Sequence, residues 1–480
     1  MHHKKILFPV LMFLAGILGI LTQIFISRKL GPSADYGIFL FFWAFPSFIL
    51  GTLNEIYNIS SIDDKVQIKP KNEGNFLSFQ NAAPTIVICL LYLFTLLGQG
   101  LFLYLEKNSD AYLKFWSLPA IIIFILIVGS LNSKTYTRLN LSGNFLITGF
   151  LILVNAAIYL ILIISSTSPN NILSIPISFL LSNIFTLIIS KPFCANVQPK
   201  NIYLSYQYIL STHTLKSITT VIPNAIIPLA LYIIATKFYD ASEVVYLGIG
   251  ISFIGFMANT IGGGFFVTKL FTKPQSVRSI TSAKKEEIGE AIYIIPLCIF
   301  LMNSIGDIVK LIYGGSRFNT EQVAILSETA LFFLPIGALI FAMNQLRAGV
   351  YGGSKQCSLY SSSIKYIVAT TVMAMVMSML LGLKGLGLGW ILSSTYFIWR
   401  LYKFQSHENG LSLTRHDGML IASHFAFSIL AASATTFVVR TIFPGVTELL
   451  VIILKMIVFS ALIISSMKLF YKLMSLVVKS

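Results

Sequence analysis

A chain of 480 residues that is 56% hydrophobic and only 11% charged, with a mean hydropathy of +0.81, has too little polar surface to coat a soluble globule, which argues against a water-soluble enzyme or binding module. Apolar runs of about 20 residues recur without the ten-residue alternation of a barrel, predicting an all-α polytopic helical bundle whose backbone polar groups are satisfied inside each helix. The formal charge of +16 would suggest nucleic acid in a soluble protein, but the basic residues sit in short segments between apolar runs, where they set topology, and no nucleic-acid partner is expected.

In chain order, residues 6–26 follow HHKK like the apolar core of a signal peptide. The run is too long and lacks a small-residue cleavage site, so it is expected to remain as the first span. Thirteen more are predicted at 36–57, 84–105, 116–133, 145–165, 172–190, 218–236, 244–266, 290–311, 326–346, 364–383, 386–402, 418–440 and 447–467. The weakest boundary is LKGLGLGW, where Gly385, Gly387 and Gly389 separate the eleventh and twelfth spans with Lys384 as the one charge. With the N-terminus inside, 24 Lys and Arg fall on the inner side and 9 on the outer, and Lys455 lies within the last span. That asymmetry supports fourteen spans with both ends cytoplasmic.

A weak internal repeat accompanies this count. From Lys5 to Tyr36 is 31 residues and from Lys216 to Tyr246 is 30, each interval holding a span with an early proline and an outer turn. The predicted organisation is an N-terminal lobe (1–190), a cytoplasmic linker (191–217), a second lobe (218–403) and a C-terminal helix pair (404–480). Paired repeats in one membrane chain are the usual build of a transporter with its site between them. The segment KPQSVRSITSAKKEEIGEA reads either as a surface helix facing anionic headgroups, at about 1 kcal/mol per basic residue, or as a solvated connector.

Charges inside spans are the first functional candidates, because each costs several kcal/mol near the bilayer centre unless it faces protein or water. Glu55, with Asn54 and Asn58, forms a polar patch near the inner end of the second span or reaches the interface. Asp307 and Lys310, spaced i, i+3, are expected to pair locally. Lys455 is expected to reach the interface along its flexible stem, with a lipid-accessible groove as the other reading. Among uncharged residues, Gln23, Asn132, Asn155, Asn183, Asn224, Asn303, Asn344 and Gln345 are expected mainly to stitch helices together, at roughly 0.6 kcal/mol per bond. Asn259 precedes Gly262, Gly263 and Gly264, a run that weakens the helix and reads as a hinge or gate, or as a site of tight packing.

Neither catalysis nor a cofactor is indicated. The six histidines are scattered, there is no Walker A sequence, and the longest predicted loop, 58–83, is too short for the extramembrane acids and bases of a polytopic glycosyltransferase. The four cysteines show neither CxxC nor Cys/His spacing, so neither a metal site nor a disulfide framework is predicted.

Two stretches carry a family resemblance. Residues 27–46, SRKLGPSADYGIFLFFWAFP, place a basic residue and glycine, then Asp35, an aromatic-rich helix, a proline and, nine residues on, Glu55. Residues 333–371 place a polar pair, an Arg-x-x-x-Tyr stretch beginning at Arg347, and a short basic turn; GLGLGWILSSTYFIWRLYK follows. Both resemble the bacterial lipid II flippases of the multidrug/oligosaccharidyl-lipid/polysaccharide exporter superfamily. The resemblance implies two six-helix lobes around a central cavity, a C-terminal pair making a lipid-facing groove, and alternating access. It implies that a polyprenyl-linked glycan is the substrate, with membrane lipids and polysaccharide-synthesis enzymes as partners. Lipid II flippases carry arginines in the first span, after the proline of the second and in the eighth; this chain has Gln23, SFILGTLNE, and no base before Lys269. The cargo then tilts toward a surface-polysaccharide repeat unit, contacted by Arg28, Asp35, Glu55, Asn259, Lys269 and Arg347. Rival readings are a cation-coupled small-molecule exporter and a non-transporting scaffold of an envelope-polysaccharide complex.

Overall fold

The computed structural model describes residues 2–62, 117–141, 143–166, 172–195, 223–255, 280–315, 317–348, 356–409, 415–443 and 447–477. These hold thirteen helices: α1 (His2–Leu30), α2 (Ala34–Ile62), α3 (Leu118–Leu141), α4 (Phe145–Ser165), α5 (Ser174–Ala195), α6 (Pro223–Phe238), α7 (Ala241–Gly255), α8 (Ile280–Tyr313), α9 (Thr320–Ala348), α10 (Gln356–Leu381), α11 (Leu383–Asn409), α12 (Arg415–Ile442) and α13 (Glu448–Val477). Each matches one predicted span, and the expected span 84–105 lies outside the described residues. Eight contain windows long and apolar enough to cross a membrane, and Ile226–Phe238 and Ala241–Gly255 are shorter apolar helices. Their outward faces are apolar, as at Ile161, Leu380 and Phe437, while Asn132, Asn183 and Thr370 are buried. That reversal of the soluble pattern is what lipid as solvent dictates.

The helices form two sets whose internal packing repeats. In the first set α1 packs on α4, α2 on α3, and α5 on both α3 and α4; in the second, α6 packs on α10, α7 on α9, and α11 on both α9 and α10. Shifting by six spans carries each pairing onto its counterpart, so the faint repeat in the sequence is explicit in the packing. The sets meet where α2 packs on α6 and α7, and where α1 touches α7 and α8. Helices α12 and α13 pack on α8 and on each other, completing two lobes and a C-terminal pair.

Local chemistry fixes the turns at the end bearing the α1–α2 connection, below called the upper end. Three helices start there with side-chain caps. The Tyr36 N–H donates to Ser33 Oγ at 3.4 Å; the Asp240 N–H donates to Glu243 Oε2 at 3.2 Å. Asn319 and Gln322 exchange bonds of 2.8 and 2.9 Å as a full capping box. The boundary that looked weakest is a single residue, Gly382, at φ 66°, whose N–H donates to the Ser378 carbonyl at 2.9 Å. This left-handed cap lets α10 reverse directly into α11. Gly385 and Gly389 then lie one turn apart against the α10 backbone at Met377 and Ala374, so the glycines that blur the boundary in sequence are what lets the hairpin close.

One segment departs from expectation. Residues 280–291 of the KPQSVRSITSAKKEEIGEA stretch are neither a separate surface helix nor a connector; they are the first turns of α8, which runs unbroken for 34 residues. At about 1.5 Å per residue that is longer than an apolar core of about 30 Å, so α8 projects beyond the membrane.

Candidate functional site

The site is the seam between the two sets at the upper end. Residues 27–37 build its first wall. Gly31 ends α1 at φ 66°, with its N–H donating to the Ser27 carbonyl at 2.8 Å, and Pro32 and Ser33 redirect the chain into α2. This hairpin brings Tyr36 back onto the last turns of α1. Gln23 Nε2 donates to the Tyr36 hydroxyl at 2.7 Å, and Ser27 Oγ lies 3.2 Å from the same oxygen. From the second set, the Tyr313 hydroxyl also bonds Ser27, while Tyr159 of α4 and Tyr232 of α6 lie within electrostatic reach of Tyr36. Tyr36 is 0% exposed and Tyr313 2%. The phenols are buried but hydrogen-bonded to neutral partners, a dry and polar closure.

Backbones meet beside this cluster. A methyl group at Gly37 would fall inside the Ala241 carbonyl, and one at Gly248 would lie 2.7 Å from Leu40 and 2.9 Å from the Tyr232 hydroxyl. The α8–α9 turn rests on the α1–α2 turn, since a Cβ on Gly31 would lie 2.9 Å from that of Arg317. Below the closure, the aromatic run of α2 continues as a ladder. Tyr36 stacks on Phe39, with ring centroids 6.5 Å apart, and Phe39 on Trp43 at 5.7 Å. Trp43 meets Phe179 of α5 edge-on at 5.5 Å, and Phe179 meets Tyr159 at 5.4 Å. The FLFFWAFP stretch therefore anchors α2 within its own set.

The basic residues of the opening turn separate in role. Lys29 donates to the carbonyls of Ile163 at 3.0 Å and Ser166 at 2.8 Å, capping the end of α4 as a cation favours. Arg28 is exposed on the last turn of α1, and Asp35 is half-buried in the first turn of α2. Lys29→Ala is expected to cost on the order of 1.5 kcal/mol, the range for hydrogen bonds to a charged donor, whereas Arg28→Ala should stay within about 0.5 kcal/mol. Thermal unfolding in detergent checks both.

The other predicted contacts are reached only in part. Glu55 lies on α2 and Arg347 on α9, both with side chains outside the described residues. Asn259, Lys269 and the glycines Gly262, Gly263 and Gly264 lie outside them altogether. Sequence reasoning missed Tyr36, Gly37 and Tyr313 as seam residues; DYG directly after a turn was the available signal. Three of the asparagines expected to stitch helices together do so. Asn132 Nδ2 donates to the Asn183 backbone carbonyl at 3.0 Å and to its Oδ1 at 3.1 Å, and Asn155 joins at 3.4 Å, tying α3, α4 and α5 together.

Two expectations about buried charge are overturned. Asp307 does not take Lys310 as its local partner, and Lys455 does not reach the interface. Lys455 Nζ lies 2.6 Å from Asp307 Oδ2 with its side chain 1% exposed, and Lys310 pairs with Glu448 at 2.7 Å. Both pairs join α8 to α13, because packing between helices places these groups nearer than the i, i+3 neighbour on one helix. Among the described residues Lys455 is the one buried ammonium, and no group of His, Cys, Asp and Glu is arranged to hold a metal.

The sequence matches no protein-family model and no curated protein. Solved structures do share the fold. The lipid II flippase MurJ in an inward closed conformation is similar over 97% of this chain and 99% of its own, at 14% identity and a TM-score of 0.65. The MATE transporter VcmN of Vibrio cholerae in its bent form covers 87% of this chain and 98% of its own, at 16% identity and 0.52. An inward-facing multidrug resistance MATE transporter covers 85% and 95%, at 12% and 0.50. At these identities the likeness establishes a shared fold.

Proposed function

We propose that this multi-pass membrane protein is a flippase that moves a polyprenyl-diphosphate-linked saccharide from the inner to the outer leaflet by alternating access. The observation that carries the reading is the extent of the fold match. Similarity to the lipid II flippase runs through 97% of the chain, whereas the MATE match covers 87% of it. A C-terminal pair beyond the two lobes suits a substrate whose lipid tail stays in the bilayer, since burial holds a tail there at about 0.8 kcal/mol per CH₂. The diphosphate and sugars need a polar path, which the interlobe space supplies once the seam opens.

In this reading the upper end faces outward and the termini face the cytoplasm. The seam of Gln23, Ser27, Tyr36 and Tyr313 is the outer closure, which parts and rejoins as the lobes rock against each other. Arg28 at the outer rim, and Lys269 and Arg347 at the inner rim, would meet the diphosphate, with Asp35, Glu55 and Asn259 as further polar contacts and Gly262, Gly263 and Gly264 as a hinge. Residues 6–26 hold Gln23 and no arginine, whereas the lipid II flippases this chain resembles carry arginine within that span. A neutral seam offers a pyrophosphate fewer bidentate donors, which favours a surface-polysaccharide repeat unit over a peptidoglycan precursor. The chain acts in transport rather than as an enzyme, alongside enzymes of polysaccharide synthesis. Depleting it in the cell should lower outer-leaflet lipid-linked sugar. Normal surface glycan and cell wall after depletion would sink this reading, and altered drug resistance alone would point to export of small molecules.

A further inference from the structure

The C-terminal pair is held to α8 by polar contacts at successive heights. On α8, Asn303, Asp307 and Lys310 fall at i, i+4 and i+7, one face of the helix. Asn303 Nδ2 donates to the Ala432 carbonyl at 3.0 Å and Thr436 Oγ1 at 2.5 Å on α12. Asp307 takes Lys455 of α13 at 2.6 Å, and Lys310 takes Glu448 at the start of α13 at 2.7 Å. Phe300 and Phe459 pack beneath, with ring centroids 5.2 Å apart, beside Ala431 and Ala432.

These contacts differ in how they resist sliding. Apolar helix faces in lipid can repack at small cost, because lipid tails are as apolar as leucine. A buried ammonium held by a half-buried carboxylate cannot. Displacing α13 along α8 by one turn, about 5.4 Å, would leave both ions unpaired in apolar surroundings. The same α8 carries, one turn beyond Lys310, Tyr313 of the seam. Contact with α1 and the hold on α12 and α13 therefore lie on a single helix.

We infer that α8, α12 and α13 form one mechanical body, with Asp307–Lys455 as its pin, so that opening the seam displaces the C-terminal pair relative to α1–α5 and leaves its position on the second lobe unchanged. The inference rests on the alternating-access reading. Under it, the lipid-facing surface between α8 and the pair keeps its shape while the lobes part.

Spin labels on lipid-facing residues of the full chain in nanodiscs test this, with the four native cysteines replaced. One pair joins Ile457→Cys on α13 to Leu380→Cys on α10, and a second joins Ile457→Cys to Ile161→Cys on α4; all three sites are more than half exposed. Each is measured with the seam intact and with Gly37→Ala, which forces α2 from α7. The α13–α4 distance is expected to lengthen and the α13–α10 distance to stay narrow and unchanged. A matching change in α13–α10 would overturn the inference. If neither distance moves, alternating access at this seam fails, and the pin is judged on Lys455→Met alone. That variant should broaden or split the α13–α10 distribution, with recovery in the charge swap D307K/K455D; a distribution still narrow in Lys455→Met overturns the pin.

Discussion

Gly37→Ala is expected to abolish transport while leaving the chain folded and inserted. The added methyl would occupy the position of the Ala241 carbonyl, a backbone atom at the start of α7 that no rotamer change can move. Helices α2 and α7 must therefore part, and with them the two lobes, whose contact at the upper end runs through this pair. Overpacking of this kind costs about 1–3 kcal/mol, which lowers the population of the closed state roughly 5–150-fold. Each lobe keeps its own internal packing, so the loss falls on the closed state rather than on folding. Labelling of Ser27→Cys, buried in the wild type, by a membrane-impermeant thiol reagent should rise in Gly37→Ala. Gly19→Ala is the matched control, because a methyl there meets nothing within 4 Å, and it should transport normally.

Asp307→Ala is expected to be the most destabilising single substitution at the contact between α8 and α13. It strands the Lys455 ammonium, whose side chain is 1% exposed, and breaking a buried pair from one side costs about 3–5 kcal/mol. Removing both charges with D307L/K455M should cost far less, since replacing a buried pair with apolar side chains is often neutral or stabilising. Lys310→Ala, whose side chain is 64% exposed in its pair with Glu448, should matter little. Thermal unfolding of the three variants and the wild type in one detergent gives the comparison, and equal losses for the single and double changes at the buried pair would contradict it.

What the sequence revealed followed the strength of each physical signal. Lipid imposes a length and an apolarity on every span, so thirteen of the fourteen predicted spans coincide with helices, and the fourteenth lies outside the described residues. Interhelical asparagines were legible for the same reason, because a polar group in a span must find a partner on a neighbouring helix. Partner identity was not. Lys455 and Asp307 are separated by 148 residues, and nothing local distinguishes a lysine that reaches the interface from one that is buried and paired. Lys29 and Arg28 are adjacent in sequence, yet one caps α4 and the other is exposed. The seam was the hardest to read. Tyr36 and Gly37 matter because of what the second lobe brings against them, and a weak repeat fixes neither the register nor the distance of that approach. The α8 extension was missed because a charged, amphipathic stretch reads the same whether it lies on the membrane or continues a span.

The central claim is that parting and rejoining of this seam moves a lipid-linked saccharide across the bilayer. Proteoliposomes test it most directly, loaded with a fluorescent polyprenyl-diphosphate saccharide and probed from outside with an impermeant quencher. Wild-type protein should bring initially shielded substrate to the outer leaflet well above empty liposomes, and Gly37→Ala should not. Translocation no faster than in empty liposomes, or equal rates for wild type and Gly37→Ala, would contradict the account.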